Sequence, residues 1–355
     1  MRTLISRLWP TGLVLCLLFG LVACSREPEP FRQERYVFGT RVEVTVLGEP
    51  EARAQAAVTQ ALAELDRLHL RLHAWKGNGE LVAINRALAR GESAPLAPDL
   101  ADMLRAAQRD EALSDGLFSP ALGGLVALWG FHADSFAPVT PDPTALKQLV
   151  EARPRMADLS LADGRITSRN RAVQLDLGGI AKGWALDRVR NQLKAAGVHA
   201  ALINIGGNVI ALGKKPDGTP WKVGIQHPRR NEAMAVVDLA DGEAVGTSGD
   251  YQRYFELNGR RHCHLIDPRD GSSDCRAQAA TVVVAPAADA GLRSDVATKP
   301  IYLADTARAS YYASRFGIRD VLLVDGHGEV WLSRSMQARL HWLGEPPPIH
   351  LLGTA

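Results

Sequence analysis

The chain has 355 residues, of which 46% are hydrophobic and 23% charged, and this balance excludes a mainly disordered protein. Its 41 lysines and arginines against 39 aspartates and glutamates leave a net charge of only +2, so we predict no nucleic-acid partner. The 32 glycines and 20 prolines follow no triplet period, which excludes a collagen-like chain.

The N-terminus has the pattern of an export signal. Arg2 and Arg7 precede an almost wholly apolar run over residues 13–23. This run is too short to cross ~30 Å of hydrocarbon as a helix. Residues 1–23 are therefore predicted to be a signal peptide that is removed from the mature protein.

The residues around Cys24 indicate a lipid anchor. Leu-Val-Ala-Cys at 21–24 resembles the site at which bacterial lipoproteins are cleaved and acylated, so Cys24 is predicted to carry the lipid. The alternative is an ordinary signal peptide followed by a chance cysteine. With lipidation, residues 24–34 form a charged, proline-bearing tether at the periplasmic face of a bacterial membrane. Ser25, where an aspartate would indicate inner-membrane retention, favours the outer membrane.

Beyond the tether, the hydrophobic period switches between two, typical of strands, and three to four, typical of helices. In chain order the sequence predicts a strand at 41–46, a helix over 51–72, a helix beginning at Pro98, a helix over 180–196, strands at 201–205, 221–225, 261–266 and 281–284, a helix over 289–304, and a closing hairpin of 321–324 with 329–332. Because strands and helices follow no regular alternation, we expect an α+β fold rather than a doubly wound sheet.

No linker interrupts the chain after the tether, so residues 35–340 are predicted to form a single bilobed catalytic domain with mixed sheets and packed helices. Three prolines at 346–348 cannot continue a sheet, and residues 341–355 are predicted to be a C-terminal tail. Cys263 and Cys275 are the cysteines of the folded part, and the sequence leaves open whether they pair.

The segment 175–184, Leu-Asp-Leu-Gly-Gly-Ile-Ala-Lys-Gly-Trp, places an acid, a glycine pair and a lysine where a loop enters a helix. Glycine lets a ligand approach the backbone closely, and a helix N-terminus with a lysine favours a phosphate group. The alternative interpretation is an ordinary helix start with a solvent-exposed lysine.

Two further clusters carry candidate chemistry. His264 lies on a predicted strand beside an Asp-Pro turn, so it is either a general base or a structural histidine. Asp295 and Thr298 share one face of a predicted helix, where they either hold a hard cation or form a polar surface. His262 and His264 lack a convincing third ligand for zinc.

Together the motifs resemble the FAD:protein FMN transferases, the ApbE family. The resemblance runs from about Arg35 to Val324 and is most specific in the glycine-lysine segment followed by Thr-Ser-Gly-Asp at 247–250. The family binds FAD with Mg²⁺ and transfers FMN to a threonine or serine hydroxyl of a partner protein, releasing AMP. The resemblance therefore implies two ligands, FAD as the substrate and Mg²⁺ as the cofactor, and an exported flavin-accepting protein as the partner.

The resemblance also implies roles for individual residues. His264 matches the catalytic histidine, and Gly179, through its carbonyl, and Asp295 match magnesium ligands. The positions that match FAD contacts are Phe38, Trp75, Asp176 and Lys182.

One departure from the family pattern concerns the metal. The family usually has a threonine four residues after the metal-binding aspartate, and here that position is Lys299. Three readings are open: Thr298 supplies the oxygen from a shifted turn, Lys299 partly replaces the ion, or transfer has been lost. The functional alternatives are thus an FAD-binding lipoprotein without transfer and a pyrophosphatase that splits FAD into FMN and AMP.

Overall fold

The computed structural model describes residues 29–353 except positions 134 and 136. The predicted signal peptide and Cys24 lie outside the described residues. Within the described ranges, no helix combines the length and the apolar character needed to cross a membrane.

Helices occupy a little more than a third of the described chain, with one 3₁₀ turn at Met156–Asp158. The α-helices are α1 (Glu51–Leu72), α2 (Glu80–Arg90), α3 (Pro98–Leu113), α4 (Gly123–Leu128), α5 (Pro143–Ala152), α6 (Ala181–Ala195), α7 (Ala290–Leu303), α8 (Thr306–Arg315) and α9 (Arg334–Arg339).

The strands fall into one large sheet and three small ones. They are β1 (Phe31–Val37), β2 (Thr40–Val46), β3 (Ala94–Pro95), β4 (Leu159–Ala162), β5 (Arg165–Ser168), β6 (Ala201–Ile205), β7 (Asn208–Leu212), β8 (Trp221–Gln226), β9 (Ala233–Leu239), β10 (Ala244–Gly249), β11 (Tyr254–Leu257), β12 (Arg260–Cys263), β13 (Ala277–Val284), β14 (Asp320–Asp325), β15 (Val330–Leu332), β16 (Leu340–Trp342) and β17 (Ile349–Leu351).

The large sheet has nine strands in the order β1-β2-β6-β7-β10-β13-β14-β15-β17. Neighbours pair antiparallel except β15 and β17, which are parallel. The small sheets are β16-β9-β8, β3-β5-β4 and β11-β12. This mixture of helices with several sheets confirms the α+β prediction.

The central strands of the large sheet are buried on both faces, whereas the edge strands β1 and β17 are largely exposed. Along β13, Ala280, Val282 and Val284 point into the main apolar core, whereas Ala279 and Val283 point into a second core. The main core lies against the helices, and the second is formed with β8 and β9. This alternation follows from the period of two in a strand, and it explains why β13 reads as a nearly continuous apolar run.

Helix α7 is almost entirely buried, because it lies between α6 and strands β10 and β13. Small residues permit this packing. A Cβ on Gly183 of α6 would lie 2.4 Å from the carbonyl oxygen of Gly291, and one on Gly246 of β10 would lie 2.0 Å from that of Ser294. The backbones therefore approach as closely as only glycine allows.

Most predicted elements are confirmed, and α1 has the predicted bounds. The predicted strand over 261–266 is shorter in the structure, where β12 ends at Cys263; the backbone N–H of His264 still donates to Arg253 O at 3.1 Å, next to the Cys263–Tyr254 pair. Helix α2 was not predicted. The segments on either side of the predicted domain also join sheets, since β1 begins at Phe31 and β17 follows the three prolines.

A buried aspartate fixes the start of α7. Asp187 accepts hydrogen bonds from the backbone N–H groups of Gly291 and Leu292 at 2.9 and 2.8 Å. We expect Asp187→Ala to lower the free energy of unfolding by about 2 kcal/mol, because two buried donors lose their acceptor. Denaturant unfolding measures this loss.

The matched control is Asp102→Ala on α3, which removes an exposed pair with Arg105 and should change the free energy of unfolding by less than about 0.5 kcal/mol. Equal losses for the two variants would contradict the role given to Asp187.

Candidate functional site

The loop before α6 carries Asp176, and a buried asparagine fixes its position. Asn85 of α2 donates from Nδ2 to Leu175 O at 2.9 Å and accepts from Leu175 N at 2.8 Å. Asp176 itself accepts from the backbone N–H of Gly178 at 2.8 Å, which closes the loop into the helix. Sequence reasoning missed Asn85, although an asparagine on the apolar face of a helical pattern was a signal for it.

A row of four side chains, Phe38, His69, His73 and Trp75, lies along one side of this loop. Phe38 sits at the β1–β2 turn with φ of +55°, and its ring meets His69 edge-on at 5.7 Å between centroids. His69 meets His73 at 5.5 Å. His73 Nδ1 accepts from the backbone N–H of Trp75 at 3.1 Å. Trp75 then donates from its indole N–H to Asp176 Oδ2 at 2.8 Å.

This chain of contacts brings together three residues predicted to bind FAD: Phe38, Trp75 and Asp176. The Trp75 indole is half-buried and also packs against His132 with 5.2 Å between ring centroids. An aromatic surface beside an anchored carboxylate suits a flat heterocycle with hydrogen-bond donors.

Lys182, in the first turn of α6, connects the loop to α7. Its ammonium donates to Gly178 O at 3.3 Å and lies 3.5 Å from Asp295 Oδ1. The backbone N–H of Gly183 donates to Asp295 Oδ2 at 2.9 Å. Both oxygens of the Asp295 carboxylate are thus engaged by α6.

A second lysine reaches the same carboxylate. Lys299, one turn after Asp295 on α7, donates to Asp295 Oδ1 and to Asp295 O, the latter at 2.6 Å. Burial raises the pKa of the Asp295 carboxyl, but the charges of Lys182 and Lys299 outweigh that effect and bring its pKa below the ordinary value. Burial lowers the pKa of Lys299 to about 8, against the attraction of Asp295.

The residues predicted to bind Mg²⁺ do not form a fitting donor set. Asp295 is the one carboxylate, and two ammonium groups already lie on it. The Thr298 hydroxyl is buried, donates to Asp295 O at 2.7 Å and lies 2.7 Å from Ser248 Oγ. Among the described residues of 29–353, no three His, Cys, Asp or Glu side chains form a cluster that could hold a metal ion. Because Mg²⁺ is usually bound by only one or two carboxylates together with waters and substrate phosphates, the misfit lies in the two ammonium groups that already neutralise Asp295.

Gly179 lies beside the second lysine. A Cβ built on Gly179 would be 3.6 Å from Lys299 Cε and 3.5 Å from the Phe118 ring. The loop, the start of α6 and the middle of α7 therefore converge on one position.

The geometry of His264 sets its tautomer. Its Nδ1 lies 3.2 Å from Arg253 O, a carbonyl that can only accept, so Nδ1 carries the proton in this contact. In the neutral ring, Nε2 then holds the free lone pair, as a general base requires. Arg253 is held in turn by a 2.8 Å bond from its guanidinium to Phe131 O.

The pKa of His264 is lowered to about 3 by burial first and then by the charges of Arg253, Lys182 and Lys299. Burial and positive neighbours both disfavour an imidazolium. His264 is therefore neutral at physiological pH, and it lies within the electrostatic range of both lysines. The site thus combines a neutral imidazole, two ammonium groups and an aromatic row.

The two cysteines lie behind this site as free thiols. Cys263 is buried with its Sγ 3.4 Å from the Tyr302 hydroxyl, and Cys275 contacts Arg261 O at 3.5 Å. Neither thiol bonds to the aromatic row or to the lysines in the described contacts.

The family model described as "ApbE family" matches residues 38–322, which is most of the chain. The chain belongs to the ApbE family. The match contains the aromatic row, the loop before α6, His264 and the segment of α7 with its two cationic contacts. Every residue of the candidate site therefore lies inside the range that the family model matches.

Several curated relatives are named FAD:protein FMN transferase. One from Rhodobacter capsulatus is 39% identical over 96% of this chain, and this chain spans 65% of its length. One from Treponema pallidum is 35% identical over 74% of this chain and 77% of its own. One from Klebsiella pneumoniae is 30% identical over 86% of this chain and 88% of its own.

Solved structures share the fold. The apo form of the Pseudomonas stutzeri flavinyl transferase ApbE matches with a TM-score of 0.76 and 28% identity, over 88% of this chain and 97% of its own. The Thermotoga maritima ApbE protein matches with a TM-score of 0.80 at 24% identity, over 88% of this chain and 99% of its own.

The close contact of α6 with Asp295 gives a prediction. A Cβ on Gly183 would lie 2.6 Å from Asp295 Cβ, so Gly183→Ala must push α6 away from α7. We expect the free energy of unfolding to fall by roughly 1–3 kcal/mol, measured by denaturant titration.

Gly353→Ala is the control, because its Cβ would meet nothing within 4 Å. If Gly183→Ala were as stable as Gly353→Ala, the close packing of α6 against α7 would be contradicted.

Proposed function

We propose that this protein transfers the FMN part of FAD to a serine or threonine hydroxyl of an exported protein and releases AMP. The observation that carries the proposal is the placement of His264, whose Nδ1 lies 3.2 Å from Arg253 O and leaves Nε2 free to accept a proton. Burial and nearby positive charges, those of Lys182 and Lys299 among them, lower the pKa of this imidazole. The family and the printed names of the relatives support the same activity. In this proposal the chain is an FAD:protein FMN transferase with FAD as its substrate.

The aromatic row and the loop before α6 bind the flavin-bearing half of FAD in this proposal. Phe38 and Trp75 provide aromatic surface, and Asp176 provides a carboxylate whose Oδ2 is oriented by the Trp75 indole at 2.8 Å. The diphosphate lies near Lys182 and the N-terminus of α6, where an ammonium and backbone N–H groups both favour negative charge.

The transfer step needs a base, an in-line attack and charge neutralisation. His264 Nε2 accepts the hydroxyl proton of the acceptor serine or threonine. The hydroxyl oxygen of that residue attacks the phosphorus of the FMN half. A phosphoester bond forms there, and the bond from that phosphorus to the bridging oxygen breaks. AMP leaves with that oxygen and the electron pair. The lysines offset the charge that develops on the phosphate oxygens.

Typical magnitudes indicate how much each group contributes to the rate of transfer. A positioned general base contributes typically ~10²–10⁴-fold to a rate. Placement of the reactants and electrostatic stabilisation at the phosphate account for most of the rest. The loop before α6, α6 and α7 supply the placement and the electrostatic stabilisation, because Lys182 connects the loop with Asp295 on α7.

Location and partner follow from the N-terminal sequence. Cleavage before Cys24 and acylation of that residue would anchor the protein at the periplasmic face of a bacterial membrane, with the outer membrane favoured by Ser25. The flavin acceptor is then an exported protein within reach of the anchored enzyme. Dependence on Mg²⁺ stays a prediction from the family resemblance, and the contacts of Asp295 with two lysines and of Thr298 with Ser248 count against Gly179, Asp295 and Thr298 as its ligands.

Removing the imidazole tests the role of His264. We expect His264→Ala to lose transfer by at least ~10²-fold and to keep its affinity for FAD within a fewfold. Mass spectrometry of a co-expressed exported acceptor domain measures the added FMN, and fluorescence titration measures FAD binding. His327→Ala, at an exposed turn, is the matched control.

The same assay separates the alternatives. FMN on the acceptor supports transfer, whereas AMP released equally fast without an acceptor would identify a pyrophosphatase. FAD recovered intact after long incubation with acceptor would identify a binding protein. Full transfer by His264→Ala would remove this residue from the proposed mechanism.

The pH profile gives an independent test. Since the pKa of His264 is lowered to about 3, its base form exists throughout pH 5.5–7.5. We therefore expect protonation of His264 to cause no fall in kcat/KM down to pH 5.5. A histidine with the ordinary pKa of about 6.5 would lose roughly tenfold at that pH. An acidic limb near 6.5 that disappears in His264→Ala would contradict the low pKa.

A further inference from the structure

Lys299 is unusually buried for a lysine. Its side chain is only 11% exposed. The ammonium donates to Asp295 Oδ1 and to Asp295 O, and Lys182 lies 3.5 Å from the same Oδ1. One buried carboxylate thus holds two ammonium groups, and this cluster carries a net charge of +1.

A divalent cation at Asp295 would need the same oxygens. Mg²⁺ binds oxygens at about 2.0–2.1 Å, so an ion on Asp295 Oδ1 would lie within a few ångströms of the Lys299 ammonium. The repulsion between an ammonium and a dication at that distance is strong in a buried site. Either cation therefore excludes the other.

The structure also decides how Thr298 is used. Its hydroxyl donates to Asp295 O at 2.7 Å and lies 2.7 Å from Ser248 Oγ on β10. Thr298 is buried against the sheet by these two contacts. Its hydroxyl is thus already engaged by Ser248 and by Asp295 O, the same carbonyl oxygen to which Lys299 donates.

We propose that the Lys299 ammonium occupies the position of a divalent cation at Asp295 and, together with Lys182, binds the diphosphate of FAD without a metal. This inference rests on the proposed function, because it takes FAD as the ligand. Lysine is a compact point charge that suits phosphate oxygens. Because Gly179 has no side chain, the loop approaches Lys299 closely, and a Cβ built on Gly179 would lie 3.6 Å from Lys299 Cε; a ligand lying along the loop would therefore come near the ammonium.

The first experiment measures FAD affinity of the full-length mature protein with excess EDTA and with excess Mg²⁺. The proposal expects the two Kd values to agree within about threefold. A Kd at least tenfold weaker in EDTA would overturn the proposal and leave the proposed function intact. Failure to bind FAD under both conditions would overturn the proposed function and this inference with it.

Substitutions at position 299 test the charge directly. Lys299→Met keeps the length without the charge and should weaken FAD binding at least tenfold under both conditions. Lys299→Thr should weaken it at least tenfold in EDTA and recover with Mg²⁺, because it frees the Asp295 oxygens. Lys147→Thr, at an exposed position of α5, should behave as the unchanged protein does.

A metal readout that needs neither FAD nor activity completes the test. Mn²⁺ alone, followed by electron paramagnetic resonance, should bind at this site in Lys299→Thr and not in the unchanged protein or in Lys299→Thr/Asp295→Ala. Mn²⁺ binding to the unchanged protein that is lost in Asp295→Ala would contradict the proposal. Circular dichroism checks that each variant is folded. The comparison of FAD affinity in EDTA and in Mg²⁺ uses the unchanged protein, so it remains valid even if a variant fails to fold.

Discussion

The buried carboxylate of Asp295 is the interaction on which the site depends. It accepts from the Gly183 backbone and lies within 4 Å of the ammonium groups of Lys182 and Lys299, so it joins α6 to α7. A charge removed from water needs partners of this kind, and each partner is held in place by it in return. The packing of α6 against α7 therefore determines where both ammonium groups lie.

The packing of α7 makes this arrangement possible. The helix is buried on nearly all sides, and glycines at 183, 246 and 291 let its backbone approach α6 and β10 closely. Asp187 completes the contact by accepting from the first N–H groups of α7. Such close packing leaves the Asp295 carboxylate little freedom to move, which a charged site near a phosphate requires.

The base and the cations depend on each other electrostatically. Burial first, then the charge of Arg253 and then those of Lys182 and Lys299 lower the pKa of His264, so the charges that suit a diphosphate also favour a neutral imidazole that can accept a proton. The carbonyl of Arg253 fixes the tautomer. Two requirements of phosphoryl transfer, charge neutralisation and a free base, are thus met by one arrangement of side chains.

The sequence by itself determined the helix over 51–72, the α+β class and the family, because periodicity and the glycine-lysine motif are local. It also placed Lys299 one turn after Asp295. Whether the Thr298 hydroxyl or the Lys299 ammonium meets the carboxylate was decided only by the tertiary structure. Adjacent residues of a helix, such as Thr298 and Lys299, point in different directions. The packing of α7 against Gly183 and the contact of Thr298 with Ser248 of β10 fix the rotation of the helix, and this rotation brings Lys299 to the loop.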